Sequence, residues 1–364
     1  MFGKRALHWA LPIIALVSMA TGCHSRMVVA AKPKPSGPVP LSKAQLKAFH
    51  PNAAGAVMIV MFHKFEPNKP IEQGLNCPPA QFMKWLNELY KRGYRPISLT
   101  DFVENRINLP IGTTPIVFTF DDGWESQFKY IIQDNEPKID PNCAVGMMDA
   151  FHLKHPDWAT KGTFFLLPHS RFTIAPFHQL GFVDQKLQYL LKEGYEIGNH
   201  TVHHPFLHSL SNAQVEAEIG GAVKRLHELV PNLKIDTLAL PYGSYPKDRK
   251  LAVTGSYGGI NYHNRAVMLA GWRPVLSPIT KPKVNPYNEL GVFAAFRPAS
   301  LDRIKPLPHH TQTAGLQYWI HYFDLHPEDR YISSGQPNLI VVPRMFESEV
   351  DPHRIPPGAI VQYY

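Results

Sequence analysis

Two adjacent carboxylates end an apolar strand at Thr119-Phe120-Asp121-Asp122-Gly123. Ile116-Val117-Phe118 runs into them, and the glycine that follows lets the backbone turn sharply. Strand side chains alternate between faces, so neighbouring aspartates can serve one site only at a strand end, where the pleat relaxes. Taken alone, Asp-Asp-Gly reads better as an ordinary turn. A second cluster further along changes that reading: His200-Thr201-Val202-His203-His204-Pro205. The His-x-x-x-His spacing puts two imidazoles on one side of a helical turn or compact loop. With one carboxylate they form a His₂–carboxylate set, which holds a divalent cation and leaves positions for water and substrate.

The start of the chain bears on where such a site would work. Lys4 and Arg5 precede an apolar stretch, Ala6 to Ala20, too short to span a bilayer. It ends in Ala20-Thr21-Gly22-Cys23, which resembles the lipobox of bacterial lipoproteins and implies cleavage before Cys23 and acylation of its thiol. An ordinary secretory signal is the alternative, and both export the protein. Residues 1–22 are therefore expected to be a signal peptide. Residues 23–54, with Lys32-Pro33-Lys34-Pro35-Ser36-Gly37-Pro38, are expected to form an extended tether. His24 stands where Asp would favour inner-membrane retention, which points to the periplasmic face of the outer membrane if the source is Gram-negative. The membrane is expected as a partner only through the lipid. The formal net charge is +8, yet no basic run interleaves with aromatics, so nucleic acid is not an expected partner. Cys77 and Cys143 could pair in an oxidising compartment. The oligomeric state is not legible.

From Ala56 onward, strands alternate with helices. Ala56 to His63 is a continuous apolar run ending in histidine, the pattern of a parallel strand covered on both faces. Gln81 to Arg92 has helical spacing, and Tyr94 to Leu99 reads as a strand with Thr100-Asp101 as the next cap. Residues 133–160 lack a clear period and are expected to be an inserted surface loop. Gly162 to Leu167, Tyr195 to Asn199 and Ile235 to Leu240 are further strands. Asp184 to Glu193 is a helix, and Ser211 with Gln214 forms a capping box for another. Ala266 to Ala270, Val292 to Phe296 and Leu339 to Val342 are strand candidates, and Leu316, Trp319, Ile320 and Phe323 mark a late helix. This is an α/β architecture with parallel strands. His63, Asp121, Asp122 and His200 all fall at strand C-terminal ends, where such folds assemble sites. No Gly-rich phosphate loop follows any strand.

These motifs resemble the polysaccharide deacetylases of carbohydrate esterase family 4, the NodB-homology group. Thr119 to Gly123 matches the family's first motif, and His200 to Pro205 its His-[Ser/Thr]-x-x-His-Pro motif. The resemblance implies a distorted (β/α) barrel over residues 55–364 as a single catalytic domain. It also implies a divalent metal, usually zinc, with cobalt or nickel as alternatives. By the same resemblance Asp122, His200 and His204 would be metal ligands and Asp121 the general base. Pro241-Tyr242-Gly243 resembles the third motif, whose Tyr N–H helps bind the oxyanion. No Leu-x-His motif occurs near the C-terminus. Met61-Phe62-His63 fits instead, as in the circularly permuted poly-N-acetylglucosamine deacetylases, which would make His63 the general acid. An Arg common two residues before the motif-three Pro is here Ala239, so Arg297 or Arg303 would have to supply its charge. The expected activity is N-acetyl removal from an N-acetylglucosamine-containing envelope polysaccharide. The alternatives are an O-acetyl esterase on an acetylated glycan and a catalytically decayed glycan-binding lipoprotein.

Overall fold

Ala56–Phe62 (β1) is buried at every position, as a strand covered on both faces must be. The computed structural model describes residues 37–71, 74–169, 175–281 and 292–364. The expected signal peptide, Cys23 and its acylation, and the tether up to Ser36 lie outside the described residues.

In chain order the helices are Lys43–Phe49 (α1), Pro79–Lys91 (α2), Leu99–Val103 (α3), Ala144–Lys154 (α4), Val183–Lys192 (α5), Asn212–Leu229 (α6) and Leu316–Leu325 (α7). After β1 the strands are Tyr94–Ile97 (β2), Thr114–Asp122 (β3), Tyr130–Gln133 (β4), Glu136–Ile139 (β5), Thr163–Leu166 (β6), Glu196–Asn199 (β7) and Thr237–Ala239 (β8). Thr254–Tyr257 (β9), Ile260–His263 (β10), Ala266–Met268 (β11), Val275–Leu276 (β12), Leu339–Val342 (β13) and Ile360–Tyr363 (β14) follow. The main sheet runs β11-β8-β7-β6-β3-β1-β12, parallel except for β12. β3 has β1 along one edge and two short strands end to end along the other, β2 beside Thr114–Val117 and β6 beside Thr119–Asp122.

The sheet is curled, and Leu301–Ile304 bridges its two sides. Leu301 N–H donates to Val267 O (2.9 Å) and Leu301 O accepts from Leu269 N–H (2.8 Å) on the β11 side. Ile304 N–H donates to Ile59 O (2.8 Å) and Ile304 O accepts from Met61 N–H (2.9 Å) on the β1 side. With only two bonds to each neighbour, this segment closes the expected distorted barrel without forming a full strand.

Period-two alternation sorts the core. Met58, Val60, Phe62, Phe118 and Phe120 pack with Phe82 and Trp85 of α2, Met148 of α4 and Ile219 of α6. Val57, Ile59, Val117, Phe165 and Ala239 pack on the other side with Met268, Leu301 and Phe296.

Several expectations need correction. The segment 133–160 is not simply a surface loop: it holds the end of the β4–β5 hairpin and α4, which buries Val145, Met147, Met148 and Phe151. Its first two turns are apolar nearly all round, so there is no amphipathic stripe to see. The tether expected through residue 54 stops short. Ser42 and Gln45 form a capping box for α1, and Leu41 and Leu46 bury themselves against Leu339 and Val341. α3 is capped by Ser98 rather than Thr100-Asp101, the Asp101 N–H donating to Ser98 Oγ. Val292–Phe296 makes a single bridge, Ala294 to Val275, instead of a strand.

Cys77 and Cys143 are free thiols. Cys77 is sealed in the core, where burial raises its pKa. Cys143 caps α4, its sulfur accepting the Gly146 N–H at 3.4 Å, and burial pushes its thiol up to about 11.

Gly198 in β7 leads to His200, and a Cβ there would lie 2.4 Å from Phe165 Cδ1 and 2.8 Å from Thr237 Oγ1. Gly198→Ala should therefore lower unfolding stability by about 1–3 kcal/mol in urea titration, the usual cost of overpacking.

Candidate active site

Asp122, His200 and His204 converge where β3 and β7 end. One ligand atom from each lies within 4.8 Å of the others. Asp122 Oδ1 is 3.3 Å from His200 Nε2 and 3.6 Å from His204 Nε2. A cation with ligand bonds near 2.1 Å sets its ligand atoms roughly 3.0–3.4 Å apart, close to the two separations that Asp122 makes here. His200 Nδ1 lies 2.8 Å from Ala239 O, which makes Nδ1 the donor and leaves the Nε2 lone pair facing Asp122.

The backbone is bent to achieve this. Asp122 (φ 75), Thr201 (φ 70), His204 (φ 56) and Tyr242 (φ 56) all occupy the left-handed region. Such conformations cost energy in non-glycine residues and cluster at functional sites. Glu218 of α6 holds the histidine loop, its carboxylate accepting the Val202 N–H (3.1 Å), the His203 N–H (2.8 Å) and His203 Nδ1 (2.7 Å). Thr201 Oγ1 accepts the His204 N–H at 3.1 Å.

Electrostatically the site suits a cation. Burial disfavours a charged His200, yet the Asp121 and Asp122 carboxylates outweigh it and raise its pKa. Burial, then the neighbouring His200, pushes His204 down to about 4, leaving it neutral at pH 7. Burial opposes ionisation of Asp122, but His200, His63 and His204 drive its pKa far down.

Asp121 has a different partner, although its Oδ2 stays 3.9 Å from His200 Nε2. Arg303, buried in the segment that bridges the sheet, donates to both its oxygens: Nη1 to Oδ1 at 2.7 Å and Nη2 to Oδ2 at 2.8 Å. The same guanidinium reaches Thr119 Oγ1 (3.2 Å) and Leu269 O (2.8 Å). Burial works against the carboxylate, and the Arg303 charge with His200 keeps its pKa lowered. Of the two arginines the sequence offered in place of Ala239, Arg303 is the one that braces Asp121.

His63 follows β1, whose Phe62 pairs with Phe120, so it stands abreast of Asp121. It lines one cavity with Asp122, and its Nδ1 has no hydrogen-bond partner among the described residues. Burial lowers its pKa, against the pull of Asp122 and Asp121. Gln127, absent from the sequence reading, ties the two strand ends together. Its buried Nε2 donates to His63 O (2.7 Å) and Asp121 O (2.5 Å). No local pattern marks a lone Gln after a turn.

Pro241 is buried and starts a turn closed by Gly243 N–H to Leu240 O and Ser244 N–H to Pro241 O, both 2.9 Å. The half-exposed Tyr242 ring stacks on Phe206 at 4.0 Å and meets His204 edge-on at 4.5 Å. A cavity of about 320 Å³ lined by His63 and Asp122 shares Lys64, Glu66 and Trp124 with one of about 920 Å³ that extends over Met83, Asp140 and Asn142.

Residues 152–258 match the family model described as Polysaccharide deacetylase, a span that includes His200, His204 and the Pro241 turn. Over that span the chain is similar to the polysaccharide deacetylases. Solved structures similar to this chain include the Streptococcus pyogenes deacetylase PplD in complex with acetate, at 17% identity and TM-score 0.48, covering 71% of this chain and 95% of that one. BC0361, a polysaccharide deacetylase from Bacillus cereus, is similar at 17% identity and TM-score 0.48, covering 73% of this chain and 68% of that one. IcaB from Ammonifex degensii is similar at 15% identity and TM-score 0.46, covering 73% and 97%.

Gln127→Met keeps the volume but leaves two buried carbonyls without their donor. It should cost about 2–4 kcal/mol in denaturant unfolding, at about 1–3 kcal/mol for each unsatisfied group before relaxation. Unchanged stability would show that the clamp is dispensable.

Proposed function

We propose that the protein is a divalent-cation-dependent hydrolase that removes N-acetyl groups from an N-acetylglucosamine-containing polysaccharide of the cell envelope. The observation that carries this reading is the division of labour between neighbouring carboxylates. Asp122 faces two histidines, and Asp121, ionised and braced by Arg303 through both oxygens, stands beside that set with Oδ2 3.9 Å from His200 Nε2. Asp122, His200 and His204 would hold the cation, zinc first and cobalt or nickel as alternatives. When bound, it supplies Lewis-acid polarisation of an acetyl carbonyl and makes water more acidic.

Asp121 takes a proton from the attacking water, a contribution typically of about 10²–10⁴ in rate. The Tyr242 N–H, presented by its left-handed turn, stabilises the oxyanion. The C–N bond then breaks as His63 protonates the departing nitrogen, giving acetate and a free amine. His63 rests neutral because burial lowers its pKa, so it must take up the proton that Asp121 received before it can act as the acid, and the nearby carboxylates favour that charged form. The two cavities, which share Lys64, Glu66 and Trp124 in their linings, support a polymeric substrate, since the larger one offers room for neighbouring sugar units. Acylation of Cys23 would hold the domain at an envelope membrane through lipid alone; none of the described helices is long and apolar enough to cross a bilayer.

The test is acetate and amine release from N-acetylglucosamine oligomers of increasing length, beside an acetate-ester glycan. Cation-dependent amide hydrolysis is expected, with kcat/KM rising with chain length. Asp121→Asn should cut kcat by about 10²–10⁴ and leave cation binding intact. Hydrolysis of the ester alone would replace this reading with an O-acetyl esterase, and hydrolysis of neither would support a glycan-binding lipoprotein.

A further inference from the structure

We propose that Trp124 is a positioning residue for the cation site: its indole N–H holds one oxygen of Asp122 and thereby commits the other to His200 and His204. The inference rests on the cation reading above. Trp124 Nε1 donates to Asp122 Oδ2 at 2.8 Å, whereas Oδ1 is the oxygen 3.3 Å from His200 Nε2 and 3.6 Å from His204 Nε2. A free carboxylate has two equivalent oxygens and can offer one or both. A charge-assisted hydrogen bond on Oδ2 removes that freedom and draws charge from the ligand.

The local backbone builds this contact. Asp122 (φ 75) and Gly123 (φ 69) are both left-handed, so the chain reverses and brings the side chain of Trp124 back over the carboxylate two residues earlier. The indole is fixed on its faces as well. Lys64 Nζ sits 3.9 Å from the ring centroid, and His178 stacks at 5.5 Å with 14° between the planes. The His178 segment is itself tied to the turn, since Phe177 N–H donates to Gly123 O at 2.7 Å. Lys64 comes from the residue after His63, so both walls of the site steady the same ring. A space-filling role would need the ring and not the nitrogen, and the two are separable.

In the full chain, Trp124→Phe keeps the ring between Lys64 and His178 and removes the donor. Cobalt affinity, measured by competition with a chromophoric chelator, should fall about 10- to 100-fold, the usual effect of losing a partner of a metal ligand. The visible spectrum of the bound Co²⁺ should change as the carboxylate reorients, with the unfolding midpoint little altered. Trp124→His, which restores a ring N–H, should recover part of the affinity. Wild-type affinity and spectrum in Trp124→Phe would overturn the proposal. Should that variant not fold, the wild-type protein answers the same question: the Trp124 indole ¹H–¹⁵N resonance should shift on zinc addition, and an unmoved resonance overturns the proposal. A wild-type chain that binds neither ion would overturn the cation reading along with it.

Discussion

The bidentate pair between Arg303 and Asp121 is the contact on which the rest of the site depends. Both side chains are almost fully buried, 1% and 2% exposed. Removing two charges from water costs several kcal/mol per ion, and well-packed apolar residues in their place are often as stable or more so. Stability alone therefore gives no reason to keep such a pair. Chemistry does: a carboxylate sealed from solvent would otherwise rise in pKa and lose its value as a base. The guanidinium keeps Asp121 ionised, and Thr119 and Leu269 hold the guanidinium. Because Arg303 lies in the segment that bridges β11 and β1, the segment that closes the sheet also places the guanidinium beside Asp121.

The adjacent aspartates divide their work through backbone geometry. Asp121 is still in strand register, opposite Phe165, and turns toward Arg303. Asp122 has already entered the left-handed region and turns toward His200 and His204. On the proposed reading, one residue of chain separates a base from a ligand. The histidine loop is bent in the same way, with Glu218 absorbing its exposed N–H groups. Strain in the loops is thus met by hydrogen bonds from helices and strands that are themselves buried.

Much of this was legible because the ligand set is carried by two short continuous segments, Thr119–Gly123 and His200–Pro205, each at the end of an apolar strand. The capping box at Ser211 and the stripe of α7 could likewise be read from local spacing. What stayed hidden depends on distance or on uniformity. Arg303 is far from Asp121 in sequence, and only folding selects it over Arg297. Leu301-Asp302-Arg303-Ile304 bonds each neighbour through a single residue, too little to leave a strand pattern. α4 is apolar on nearly every side, so periodicity could not find it. Gln127 and Trp124 act through one nitrogen each, and nothing in their neighbours announces that.

The most direct test of the account is a double-mutant cycle between Asp121 and Arg303, read by urea unfolding. Asp121→Asn, Arg303→Met and the double variant would be compared with the parent. Each single change leaves one buried group without its partner, so the double variant should be more stable than the two losses predict, with a coupling near the upper end of the usual range, about 2–3 kcal/mol. Additive losses would contradict the claim that this pair organises the site.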